Sequence, residues 1–202
     1  MKAGVKKGLI AGGIILVVLM ALYSFFVGNY NNFVKLDEDI NAQWSQIQNQ
    51  YQRRYDLIPN LVSTVQGYAK HESSVFTDVT QARAKAGGVV NIDQSVLDNP
   101  EELEKFQKIQ NDLSSSLQRL LAVTENYPEL KANENFLSLQ SQLEGTENRI
   151  SVERKRYNEL VGQYNREIRT FPKKFIADLN GFTSKSYFTA SEESQSAPKV
   201  QF

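Results

Sequence analysis

The sequence predicts an all-α protein: an N-terminal transmembrane helix followed by a bundle of three to four long helices. Three observations carry this. The stretch Leu9–Val27 is apolar, and no charge occurs between Gly8 and Val34. After it, large apolar residues recur at steps of three and four, the spacing of one helix face. Gln, Glu, Leu, Arg and Lys, all good helix formers, are abundant, and most of the prolines fall between the periodic segments.

The apolar stretch is long enough to cross a bilayer, because about 20 helical residues at roughly 1.5 Å each span a hydrocarbon core of about 30 Å. Its expected anchor residues are Leu9, Ile14, Leu16, Val18, Leu22 and Phe25. Tyr23, Phe25, Phe26 and Tyr30 sit where an interfacial aromatic belt forms. A cleaved signal peptide is the rival reading, but its apolar region is usually shorter and no small-x-small site follows Leu22. Lys2, Lys6 and Lys7 precede the span, whereas Lys35 follows it among Asp37, Glu38 and Asp39. This excess of lysine predicts a cytoplasmic N-terminus, with residues 1–28 as basic leader and anchor and the remainder outside the cytoplasm.

Residues 29–190 form the expected bundle, beginning with Phe33, Leu36, Ile40, Trp44, Ile47, Tyr51, Tyr55, Ile58, Val62, Val65 and Ala69 on one stripe. Pro59 falls inside it. Proline has no amide to donate and crowds the carbonyl four residues earlier. Either the helix bends there, or one helix over about 29–57 gives way to another over about 59–86. Arg53, Arg54 and Asp56 crowd the turn before it. Phe76, Val79 and Ala82 close the stripe, and Gly87-Gly88 ends it.

The residues RRYDLIPNLV and GYAKHE in this region resemble the signature of the LemA family. The resemblance implies a bacterial, membrane-anchored helical protein without a settled biochemical activity.

Val89–Asn99 reads as a loop that ends in a helix start: Asp98 or Asn99 as cap, Pro100 in the first turn, then Glu101 and Glu102. Leu103, Phe106, Leu113, Leu117 and Leu120 define a helix over about 100–126, which Tyr127-Pro128 interrupts. The last long helix, about 133–171, is the most regular. Phe136, Leu143, Ile150, Tyr157, Tyr164 and Phe171 fall at seven-residue intervals, with Leu139, Val161 and Ile168 beside them. Such heptads favour coiled-coil packing. With Trp44, Tyr51, Tyr55 and Pro59 they make the expected seam, and the pattern alone does not separate a seam inside one bundle from an assembly seam between copies.

Glu147 and Arg154 interrupt that seam. Buried charges persist when paired, so partners are expected among Arg53, Arg54 and Asp56, unless both side chains reach the wet edge of the seam. RYNELVGQYNREIRTFP, KKFIADLNGF and SKSYF are again similar to the LemA family, so the resemblance covers nearly everything after the anchor. It implies four long antiparallel helices on a single anchor. With the lysine asymmetry, it places the protein in the bacterial cytoplasmic (inner) membrane, its bundle on the periplasmic side.

Past Pro172, the aromatic and aliphatic residues Phe175, Ile176, Leu179, Phe182, Tyr187 and Phe188 accompany Lys173, Lys174 and Lys185. This segment either meets a membrane surface or neighbouring subunit, or folds back over one end of the bundle. Residues 191–202 form a polar tail, expected to be disordered.

Chemistry has little to work with. There is no cysteine and one histidine, His71, expected at a packed or capping position near the middle of its helix. His71-Glu72 lacks the second histidine of a zinc-protease helix, and no phosphate-binding glycine motif occurs. No catalytic, cofactor or metal site is therefore expected. Basic and acidic residues number 23 each, which lends nucleic-acid binding no support. The expected function is a non-catalytic scaffold whose partners are the lipid bilayer and further copies of itself. The alternative is an adaptor or stalk that presents the Arg53–Asn60 region or the tail to another envelope protein, such as a protease or signalling receptor.

Overall fold

The computed structural model describes residues 3–89 and 92–189, with side chains described from Leu9 onward. The protein is all-α, and no strand occurs among the described residues. Its helices are α1 (Ala3–Tyr68), α2 (Ser73–Gly87), α3 (Pro100–Thr124), the short α4 (Pro128–Lys131), α5 (Glu134–Arg169) and α6 (Lys173–Leu179), with a 3-10 turn at Gln94–Asp98. Residues 191–202 lie outside the described residues.

The chain passes through Pro59 without ending the helix, and α1 continues to Tyr68. Of the two readings of Pro59, continuation and a break between residues 57 and 59, the chain takes continuation, and the boundary with α2 falls at Ala69–Glu72. Pro59 leaves the Tyr55 carbonyl without its helical donor, and the Arg83 Nε–H of α2 donates to that carbonyl at 3.3 Å. The Arg83 guanidinium also lies 3.8 Å from the centre of the Tyr55 ring. A donor from the neighbouring helix thus offsets what proline removes. α2 approaches closely here, since a Cβ on Gly87 would stand 2.9 Å from the Tyr55 hydroxyl oxygen.

The chain divides into two compact units, one holding the described residues up to Asp39 with Gly162–Ser184, the other Ile40–Val161 with the chain from Lys185. In the second unit, Gln43 bonds to Glu153, Arg54 to Glu147 and Tyr68 to Asn133, so α1 and α5 run antiparallel. Glu72 accepts from Tyr127 and Asp78 faces Arg119, which sets α2 antiparallel to α3. The result is a four-helix bundle of α1, α2, α3 and α5.

Local chemistry explains the helix starts. Asn99, not Asp98, caps α3, its Oδ1 accepting from the amides of Glu101 and Glu102 at 3.1 and 3.3 Å. Asp98 pairs with Lys185 at 2.8 Å. Asn133 caps α5 through the Phe136 amide at 3.0 Å. His71 is exposed in the turn between α1 and α2, not packed within a helix.

Two kinds of core fill this bundle. Ile58, Leu61, Val65, Val79, Leu113, Leu117, Leu120 and Leu143, with Phe76 and Phe136, form a mainly aliphatic layer around α2. Trp44, Tyr51, Phe106, Tyr157 and Phe188 form an aromatic layer, with ring centres 5.2 to 6.3 Å apart. In the first unit, Phe33 and Tyr30 meet Phe182 edge-on at 5.4 and 5.8 Å.

Candidate functional site

The most distinctive chemistry lies between the two core layers. Buried positions on α1 run Trp44, Ile47, Tyr51, Arg54, Ile58, Leu61 and Val65, alternating steps of three and four. Arg54 thus occupies a seam position on the bundle axis and is only 1% exposed. Its Nη1 donates to Glu147 Oε1 at 2.8 Å and to Ser114 Oγ at 2.7 Å. Its Nη2 donates to the Gln110 side-chain oxygen and, at 3.4 Å, to the Gln110 carbonyl. The guanidinium also lies 5.1 Å from the centre of the Tyr51 ring. The Arg54 Nε and Gln110 Nε2 are buried without partners, so the cluster holds more donors than acceptors. That surplus makes the one carboxylate, Glu147, decisive for keeping the charge inside.

A second polar group flanks the aromatic layer. Arg154 donates to Gln107 Oε1 at 3.3 Å and to the Thr189 carbonyl at 3.1 Å, and lies 4.6 Å from the centre of the Phe188 ring. Burial raises the pKa of Tyr51 above the ordinary phenol value, against the opposing pull of Arg154 and Arg54. Burial likewise raises Tyr157, helped by the negative charge of Asp98.

The expected polar cluster is therefore brought together only in part. Arg54 and Glu147 meet, as the seam argument requires. Arg53 and Asp56 point outward, and Asp56 accepts from Gln52 at 2.7 Å instead. Arg154 belongs to the aromatic layer. Of the seam residues, Trp44, Tyr51, Phe136, Leu143, Ile150, Tyr157 and Tyr164 are buried. Three corrections follow. Tyr55 is half-buried and Pro59 exposed, because the stripe steps from Tyr51 to Arg54 and not to Tyr55. Phe171 lies beyond the end of α5 and is 77% exposed. The anchor residues Leu9, Ile14, Leu16, Val18, Leu22 and Phe25 are all exposed within the chain, and theirs is the one described segment long and apolar enough to cross a membrane.

Sequence reasoning passed over Gln110, Gln107 and Asn158. Gln110 was readable, since it fills the gap in the α3 row Leu103, Phe106, Leu113, Leu117. Asn158 was not, because its partner, the backbone of Phe188, is thirty residues away and carries no periodic signal.

The arrangement has no nucleophile paired with a base, and no group of three metal-ligating side chains occurs among the described residues. What it can do is fix the register of α1 against α3 and α5, since a shift by one turn would strand the charge. A family model, the LemA family, matches residues 43–202, which includes the buried cluster and both core layers. The chain belongs to the LemA family. Curated relatives include magnetosome protein MamQ 2 of Paramagnetospirillum magneticum, 28% identical over 188 residues, and MamQ of Magnetospirillum gryphiswaldense, 26% identical over 188. Both alignments cover 84% of this chain and 68% of the relative. Protein LemA of Metamycoplasma hominis is 25% identical over 171 residues, covering 84% of this chain and 73% of its own.

Proposed function

We propose that this LemA-family chain is a non-catalytic scaffold anchored by a single pass in the bacterial cytoplasmic membrane, which organises that membrane by associating with copies of itself. The N-terminus lies in the cytoplasm and the bundle on the extracytoplasmic side, following the lysine excess before the span. The observation that carries the reading is that one helix, α1, supplies both the membrane-length apolar segment and a full seam of the bundle. The similarity to proteins named for the magnetosome supports an organising role.

The heptad residues from Phe136 to Tyr164 are buried inside the chain, so association uses outer surface. The outer side of α5 carries exposed Leu137 and Val152, with Arg156 one turn beyond Val152. Exposed Arg156 reaches the partly buried Glu153 at 2.9 Å, and Glu153 also accepts from Gln43 and so keeps a partner when Arg156 is replaced. The full chain in detergent is expected to scatter light as one large, uniform particle. Arg156→Glu is expected to shrink it while leaving helical circular dichroism unchanged. A wild-type monomer, or a mutant particle of unchanged size, counts against self-assembly through this face.

A second reading, the adaptor, is favoured by a groove of about 370 Å³ between α3 and α5, lined by Ser114, Leu117, Leu121, Leu143 and Glu147 among others. Crosslinking in cells separates the two: a ladder of self-crosslinks fits the scaffold, and one dominant heterologous band fits the adaptor.

A further inference from the structure

The first compact unit leaves an apolar surface uncovered at the membrane end of α1. On α6, Ile176 and Ala177 are buried, whereas Phe175 and Leu179 are 69% and 75% exposed. Phe171, 77% exposed, meets the Phe175 ring edge-on at 5.8 Å and extends the same stripe. Three large side chains at four-residue spacing, all turned outward, are unusual on a surface that meets only water.

Their position says what covers them. Phe182, three residues beyond Leu179, packs against Tyr30 and Phe33 of α1. Those two residues lie about 5–9 Å along the helix beyond Val27, the end of the apolar span. The headgroup zone outside the hydrocarbon core is about 5–8 Å deep on each side. α6 is thereby tethered at the depth of the interface, close to the exposed Phe25, Phe26 and Tyr30 of the same unit. Between Arg166 and Ser184 there are four basic and two acidic side chains, a balance that favours anionic headgroups. Lys174 pairs with the exposed Asp178 at 2.7 Å, which leaves the apolar stripe flanked by charge, as an interfacial helix requires.

We infer that α6 is a second membrane contact: Phe171, Phe175 and Leu179 insert into the interfacial layer of the bilayer that α1 crosses. This rests on α1 being membrane-spanning, and not on self-assembly. A chain held by one helix that crosses the bilayer and another that lies in its interface has its tilt from the membrane normal constrained, because tilting would lift α6 out of the interface or bury it.

The test uses the full chain reconstituted into vesicles of phosphatidylcholine and phosphatidylglycerol. Trp44 is fully buried and serves as an unquenched baseline in the wild type. Phe175→Trp, an exposed substitution that leaves the core alone, is expected to emit at shorter wavelength than a water-exposed tryptophan. It should lose emission to lipids brominated high on the acyl chain and be spared by aqueous iodide. Leu179→Trp repeats the measurement should Phe175→Trp fold poorly. Quenching by iodide and not by bromolipid would put α6 in water and overturn the inference. Protection from both quenchers would mean that protein covers the stripe, which also overturns it. Leu16→Trp, inside the span, is the control: its quenching by deeply brominated lipid with none at Phe175→Trp sinks the α6 contact alone. Failure of Leu16→Trp to quench sinks the anchor and the contact together.

Discussion

At the aliphatic end of the bundle the fourth wall is a helix, α2, whereas at the Trp44 end it is irregular chain. There the Gln94–Asp98 turn and the returning segment Lys185–Thr189 do the same job. The helical wall satisfies its own backbone and is held mainly by volume, Phe76, Val79, Ala82 and Ala86 being its buried row, with Arg83 adding one bond to the Tyr55 carbonyl. The returning segment has no internal ladder, so neighbours supply its hydrogen bonds. Asn158 takes both polar groups of Phe188, accepting from its amide at 2.9 Å and donating to its carbonyl at 2.8 Å. The Tyr157 hydroxyl donates to the Ser186 carbonyl at 3.0 Å, and the Ser186 amide donates to the Leu97 carbonyl at 3.0 Å. One end is thus specified mainly by packing, the other mainly by named side chain–backbone contacts around an aromatic plug.

The sharpest way to break the comparison is to remove the plug. Phe188→Ala deletes a buried ring that touches Trp44, Tyr157 and the Arg154 guanidinium, and is expected to cost about 3–5 kcal/mol. Val79→Ala on α2 removes less volume and is expected to cost about 1–3 kcal/mol. Urea unfolding of both variants checks the ranking. Equal costs would mean that the returning segment decorates the bundle and does not wall it.

The Arg54 cluster divides the two ends, and its partners are unequal. Glu147→Ala leaves a buried guanidinium with neutral acceptors only, and is expected to cost about 2–3 kcal/mol, below the usual figure for a buried pair because the Glu147 side chain is 38% exposed. Arg54→Met removes the charge, fills the seam and lets Glu147 turn to water, with an expected change within about 1 kcal/mol of zero. The reverse order in denaturant titrations would refute the view that the charge is a register device with a stability cost.

How much of this was legible follows from the same contrast. Regular repetition writes itself into sequence, so the span, the α5 heptad and the α3 cap were readable from spacing and residue type. Arg54 was readable in principle, because strict alternation of three and four from Trp44 lands on it. Following the aromatic residues to Tyr55 hid that. The position of the α1–α2 break was not legible: Pro59 is the stronger breaker by local propensity, but Arg83 from the next helix replaces the missing donor, a tertiary effect that no local rule contains. The folding-back of Lys185–Thr189 was one of two open readings, since its contacts depend on side chains far away in the chain.

Arg83 gives the next smaller effect. Arg83→Ala strips the Tyr55 carbonyl of its donor and the Tyr55 ring of its cation, both half-buried, for an expected loss of about 1–2 kcal/mol. Double substitution with Pro59→Ala should recover part of that loss, because alanine restores a helical amide to the same carbonyl. Additive effects of the two changes would argue that Arg83 acts by packing alone.

The smallest effect belongs to the aromatic end alone and appears only in alkali. Tyr51 and Tyr157 both have phenol pKa values raised above 10 in the folded chain, first of all by burial. Below pH 10 each is protonated in both states and its contribution is complete. As pH rises past that value, the unfolded chain releases protons that the folded chain retains, so stability falls, with a limiting slope of about 1.4 kcal/mol per pH unit per group. Tyr157→Phe removes one such group together with the donor to Ser186, and these two losses separate cleanly. The lost hydrogen bond lowers stability equally at every pH, by about 1 kcal/mol. The lost phenol makes the fall above pH 10 shallower. A variant that is offset at neutral pH but keeps the wild-type slope in alkali would show that Tyr157 ionises as freely in the bundle as in the unfolded chain, and that the returning segment does not seal the aromatic layer from water.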